Sequence, residues 1–193
     1  MANIYEGRIN MKPLTRKDVD DIVQWGRTLS DEEGTRLLDH FENHQSQLYN
    51  AIYGELSDTI AEDSVDMANL FLDLCFDIVL VYHRILGDAP QEPEDTRWLE
   101  SKMALLDAEF KSLSPESPME SKLSSTLNDR FVQRCIDSGT PVALLNYLDD
   151  QVLHYASFNS ARIPAISLTN NLLFVVVRLM DSIYEYQPEP LSH

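Results

Sequence analysis

The residues in this chain whose types and spacing most invite chemistry are its carboxylates. Glu55, Asp58, Glu62, Asp66, Asp73 and Asp77 fall on two consecutive helical stretches and their connection, and hard cations such as Mg2+ are held by carboxylate oxygens. Within the second stretch Asp66, Asp73, Asp77 and Arg84 are spaced 7, 4 and 7. At about 100° per residue, that spacing puts them within about 40° of one another on a helix. Nearly every other position there is apolar, so a thin polar stripe runs along an otherwise hydrophobic helix. A metal-dependent reading rests on Asp66, Asp73 and Asp77 with Mg2+; the plain alternative is a solvated stripe.

In carrying acidic residues on adjacent helices, the 55–77 stretch resembles the all-helical MazG-type nucleotide pyrophosphohydrolases, whose paired acidic motifs bind magnesium. The resemblance implies metal-dependent hydrolysis of a nucleoside triphosphate. The chain departs from that family in two respects. The family's acidic pairs stand three apart within each helix, whereas Asp73 and Asp77 stand four apart, and no cluster of Lys and Arg for a triphosphate lies near.

Other chemistry has less to stand on. His40 and His44 are four apart on one helical face, a spacing that suits a shared metal, and Asp150 with His154 repeats it. A di-iron carboxylate bundle shows Glu-x-x-His pairs on two helices, and neither copy is present. Cys75 and Cys135 lie far apart in apolar patterns, without a CxxC motif or a neighbouring His; both are expected to be buried free thiols. No Gly-x-Ser-x-Gly elbow or glycine-rich phosphate loop occurs. Six glycines in all provide little loop machinery.

Net charge is −17, and its distribution is uneven. Residues 30–95 hold sixteen acidic groups against only Arg36 and Arg84, which is −14 of the total. Such a field repels nucleic acid and anionic membrane, because phosphate contacts need Lys and Arg. It favours basic partners. Asp31, Glu32, Glu33, Glu62 and Asp63, near helix starts where they complement the helix dipole, are the candidate partner-binding residues. Acidic surfaces also keep proteins soluble, which is the alternative explanation. Tyr49, Tyr53, Tyr147, Tyr155, Tyr184 and Tyr186 are either interface anchors or core residues with a bonded hydroxyl.

The elements that would position these groups read as helices almost throughout. Thr15 with Asp18 caps a first helix carrying Val19, Ile22, Val23 and Leu29. Ser30 with Glu33 forms a capping box for a second, whose apolar face continues to Leu56. A third, about 63–86, ends at Gly87. Pro93 is placed to start a fourth, with Trp98, Leu99, Met103, Leu106 and Phe110. Ser117, Pro118 and Glu120 start a fifth that runs to Gly139, and Thr140 with Pro141 a sixth. Pro164 interrupts the pattern before a last helix over about 167–186. Its polar stripe resembles that of the third, and Asn69, Leu70 and Tyr82 pair with Asn171, Leu172 and Tyr184 at one offset. Two readings stay open: a duplicated helical pair, or two buried helices of one bundle.

The expected fold is therefore all-α, a compact single-domain bundle of about seven helices with the third and last central. The expected organisation is an N-terminal arm over residues 1–14, a helical domain over 15–187 and a C-terminal tail over 188–193. The first residues lack the apolar run of a signal peptide, and the longest apolar run, 172–177, is far short of the roughly 20 residues a bilayer requires. A cytoplasmic location with no membrane and no direct nucleic-acid contact is the expectation. The leading functional expectation is a protein–protein interaction module, such as an inhibitor, immunity-type protein, adaptor or nucleic-acid mimic, that needs no cofactor. A subunit burying its apolar faces in a homo-oligomer is a third reading.

Overall fold

The computed structural model describes residues 14–93, 95, 97–113 and 141–185. Among these the chain is all-α, without a strand. Residues 1–13 of the expected arm, the fifth helix, Cys135, Tyr186 and the tail lie outside the described residues.

The first helix, α1 (Arg16–Gly26), starts where the sequence says it should. Thr15 and Asp18 form a reciprocal capping box, with Thr15 N–H and Oγ1 donating to Asp18 Oδ2 at 2.8 and 2.6 Å. The helix stops at Gly26, so Leu29 lies beyond it. Ser30 and Glu33 cap α2 (Asp31–His44) in the same way. This helix does not continue to Leu56. It breaks at Gln45, whose backbone leaves the helical region and whose fully buried side chain donates to Pro90 O at 2.7 Å. Glu92 then accepts from Ser46 Oγ at 3.0 Å and Gln47 N–H at 2.9 Å. A carboxylate 45 residues downstream thus caps α3 (Ser46–Asn50). A π-helical stretch, Ala51–Leu56, connects α3 to α4 (Ser57–Ala61).

The long α5 (Val65–Leu86) begins after Ser64, whose hydroxyl accepts from Met67 N–H. Asp63 therefore belongs to the preceding turn and not to the helix. Gly87 closes α5 at φ 87°, a left-handed conformation that side chains rarely adopt. The next helix, α6 (Trp98–Leu113), starts later than Pro93 suggests; the preceding residues instead hold the Gln45 and Glu92 contacts. After Pro141, α7 (Val142–Ser157) leads into a 3-10 segment, Ser160–Ala165, which contains Pro164 and runs directly into α8 (Ile166–Glu185). Proline's missing donor is tolerated in that tight turn and would not be inside α8.

The helices α5 and α8 lie side by side and parallel. Asp66 meets Arg162 at their starts, while near their ends Tyr82 and Tyr184 stack with centroids 5.6 Å apart. Tyr184 Oη then donates to Gly87 O at 2.9 Å. Antiparallel to α8 runs α7, with Asn170 donating to Asp149 at 2.6 Å. Phe71, Leu74, Ile78, Leu173, Val176 and Met180 are all buried in the resulting core. By length and composition Ser160–Tyr184 is, among the described residues, the one segment able to cross a bilayer; here its apolar face is filled by α5, α6 and α7.

Close packing of α1 on α5 depends on a missing side chain. A Cβ on Gly26 would stand 2.4 Å from Leu80 Cδ1, and Leu80 is fully buried. Alanine for glycine near a helix end ordinarily gains up to about 1 kcal/mol. Here overpacking outweighs that gain, at a cost of about 1–3 kcal/mol. Gly26→Ala is expected to lower the melting temperature, and a thermal scan by circular dichroism checks the sign.

Candidate functional site

The three carboxylates of the α5 polar stripe stand in different environments. Asp66 is exposed and accepts from Arg162 Nε and Nη2 at 3.0 and 2.7 Å. Asp73 is exposed, with no basic side chain in reach among the described residues. Asp77 is fully buried. From Asp66 to Asp77 the helix rises roughly 16 Å, so the three carboxylates cannot converge on one cation through this helix alone. Among the described residues no group of three or more His, Cys, Asp or Glu is placed to hold a metal.

Asp77 has its own constellation. Arg27, just past the end of α1, donates from Nη2 to Oδ2 at 3.1 Å and lies 3.0 Å from Oδ1. Tyr147 of α7 donates its hydroxyl to Oδ2 at 2.9 Å. The Oδ1 contact with Arg27 is ionic but not aligned as a hydrogen bond, which leaves that oxygen without a donor. Burial pushes the Asp77 carboxyl above its ordinary range, opposed by Arg27 and by the Tyr147 hydrogen bond. The cluster ties α1, α5 and α7 together. A second buried pair, Tyr82 Oη to Asp181 Oδ1 at 2.5 Å, joins α5 to α8.

The histidines are held in the same structural manner. His40 and His44 stack with centroids 3.8 Å apart, and His44 Nδ1 donates to His40 O at 2.8 Å. Asp150 binds Arg16 at 2.6 Å and leaves His154 to Phe158. Cys75 is a buried free thiol, raised by desolvation and so disfavoured as a thiolate nucleophile. Of the candidate tyrosine anchors, Tyr147 and Tyr184 are buried with bonded hydroxyls. Tyr49 and Tyr53 stack on one another, half-buried, at 4.5 Å.

The acidic candidates lie at the surface. Asp31, Glu32 and Glu33 are all exposed in the first turn of α2. Glu33 Oε2 accepts from Ser30 N–H and Oγ, each at 2.8 Å, and those bonds hold its carboxyl below the usual range. Glu62 and Asp63 are exposed in the turn between α4 and α5. The two groups form separate patches. Gly34, in α2, faces Phe76, eleven positions along α5 from Val65, or roughly 16 Å of helix from the second patch. An open depression of about 490 Å3 lies beside Asp31, Glu32, Thr35 and Arg36.

Between the patches the surface remains acidic. Of the described carboxylates in residues 30–95, all are exposed except buried Asp77 and half-buried Glu92. Only Asp66, Asp77 and Asp88 have a basic side chain within 4.0 Å among the described residues. Several basic groups are engaged with other partners: Arg16 with Asp20 and Asp150, Lys17 with Asp21, Arg27 with Asp77, and Arg84 over the Trp25 ring; Arg36 stays within the α2 patch, its Nε donating to Glu32 O at 3.2 Å. What the arrangement can do chemically is present an excess of negative charge on an exposed helical surface. Two of these pairings, Arg16–Asp150 and Arg27–Asp77, join residues far apart in sequence, so composition alone revealed the excess but not its exposure.

Comparison with protein-family models, with curated proteins and with solved structures gave no significant match.

Proposed function

We propose that this chain is an interaction protein whose acidic helical surface engages a basic protein partner, in the manner of an inhibitor, immunity-type protein, adaptor or nucleic-acid mimic. One observation carries the reading: the carboxylates of residues 30–95 are exposed and, for the most part, lack a cation among the described residues, while α1 and the interior carry compensated pairs. Exposed like charges repel one another, and a protein of this net charge is held together against that repulsion. A basic partner relieves it and is steered to the surface by the same field.

Affinity capture from the source cell, run in parallel at low and high salt, tests the proposal. Basic proteins should be retained at low salt and released as ionic strength rises, because exposed charges are screened beyond about 8–10 Å under physiological conditions. Retention of only neutral or acidic proteins, unaffected by salt, would count against it.

A further inference from the structure

Five large apolar side chains are exposed among the described residues, and four of them belong to elements that meet at one end of the bundle, where Arg162 of the 3-10 segment contacts both Asp66 and Tyr155. Val65 (65% exposed) opens α5, Leu153 (47%) is on the last turns of α7, Phe158 (71%) follows that helix, and Ile163 (57%) is in the 3-10 segment; only Leu105 stands elsewhere. Single exposed apolar residues are ordinary, whereas a grouped set marks an interaction surface. The corner is held rigidly. Arg162 lies 3.9 Å over the Tyr155 ring, donates from Nη1 to Tyr155 O at 3.1 Å, and grips Asp66. Ile163 and Val65 are each the chain neighbour of one member of that Arg162–Asp66 pair, which places their backbones at the same end of the bundle. An apolar surface presented on a fixed frame loses little conformational freedom when it is covered. Beside it, in the turn leading into Val65, stand Glu62 and Asp63, exposed and without a cation among the described residues.

We infer that this corner is the docking site for a basic amphipathic helix of a partner protein, with Phe158, Ile163 and Val65 receiving its apolar face and Glu62 and Asp63 its cations. The inference rests on the acidic-partner reading and gives that reading a location. Charge selects the occupant. A second copy of this chain would set two −17 molecules rim to rim, and an anionic bilayer would meet the same repulsion. A basic helix satisfies both parts of the surface, the apolar anchors and the acidic rim.

The test uses the full chain and two synthetic helical peptides, one with Leu on one face and Lys on the other, and its twin with Glu in place of Lys. By fluorescence anisotropy the Lys peptide should bind and the Glu twin should not. Phe158→Ser and Ile163→Ser should each weaken binding at least tenfold with an unchanged melting temperature, because both side chains are largely exposed. Glu62→Lys with Asp63→Lys should also weaken it, more than Glu32→Lys with Glu33→Lys does. Salt-sensitive binding that ignores Phe158 and Ile163 would overturn this location while leaving the acidic-partner reading in place. Failure of the Lys peptide to bind, equal binding of the twin, or sedimentation showing a dimer that Ile163→Ser dissolves, would overturn the inference; capture of basic proteins decides the broader reading separately.

Discussion

Arg27→Ala should destabilise the fold strongly at alkaline pH and much less in acid. The substitution removes the cation facing Asp77, which is fully buried between α1, α5 and α7. Breaking a buried ion pair by taking away one partner costs about 3–5 kcal/mol. The Arg27 side chain is 57% exposed, so water replaces part of what it supplies and about 2 kcal/mol is expected. For a chain of this size that corresponds to a fall of roughly 4–8 °C in melting temperature. The direction with pH follows from the raised Asp77 carboxyl. A carboxyl whose folded pKa lies above its unfolded value binds its proton more tightly when folded. Its favourable contribution is therefore complete below the unfolded pKa and is lost as pH rises through the folded one. Without Arg27 the folded pKa rises further, so the variant loses more in alkali and nothing through this charge in acid. Adding Asp77→Asn to Arg27→Ala should recover most of the loss at alkaline pH. Denaturant melts of the three variants across pH measure this; a penalty independent of pH would show that Arg27 acts by packing rather than by charge.

Reversal of Glu32, Glu33, Glu62 and Asp63 to Lys should weaken association with a basic partner by roughly ten- to a hundredfold. Each reversal adds two units of charge and the four take the chain from −17 to −9. Exposed pairs are worth about 0.2–1 kcal/mol each, and reversal turns attraction into repulsion. A total of about 1.4–2.8 kcal/mol is one to two decades in affinity. The loss should appear mainly in the association rate, which long-range steering controls. Because Glu33 also completes the cap of α2, a parallel variant with Gln at Glu32, Glu33 and Glu62 and Asn at Asp63 keeps the capping box and should lose less affinity with unchanged helicity. Surface plasmon resonance with both variants, and circular dichroism of each, separates charge from folding.

Much of the fold can be read from local sequence, and what cannot has a common cause. The caps at Thr15 and Ser30, the stop at Gly87 and the apolar faces of α5 and α8 are decided within one or two turns of chain. The break at Gln45 is not: its stabilising partners, Pro90 O and Glu92, come from 45 residues away. The periodicity of the 30–56 stretch continues across that break, which is why pattern alone joins α2 to α3. The carboxylate stripe on α5 was legible as a stripe. Its division into a surface pair, a free carboxylate and a buried anchor depends on Arg162, Arg27 and Tyr147, contributed by the 3-10 segment, the end of α1 and α7. Sequence spacing places residues on a face of a helix; which neighbour covers each level of that face is a tertiary fact. Similarly, the excess of acid in residues 30–95 is plain from composition, but the exposed apolar corner beside Glu62 and Asp63 emerges only when α5, α7 and the 3-10 segment meet.

The most direct test of the acidic-surface account is the salt dependence of the affinity for a captured basic partner, measured with purified components from low to physiological ionic strength and above. The account predicts that log affinity falls steadily as log salt rises, and that the fourfold Lys variant shows a shallower fall from a weaker starting value. An affinity that stays constant with salt, or a variant indistinguishable from the wild type, would contradict it.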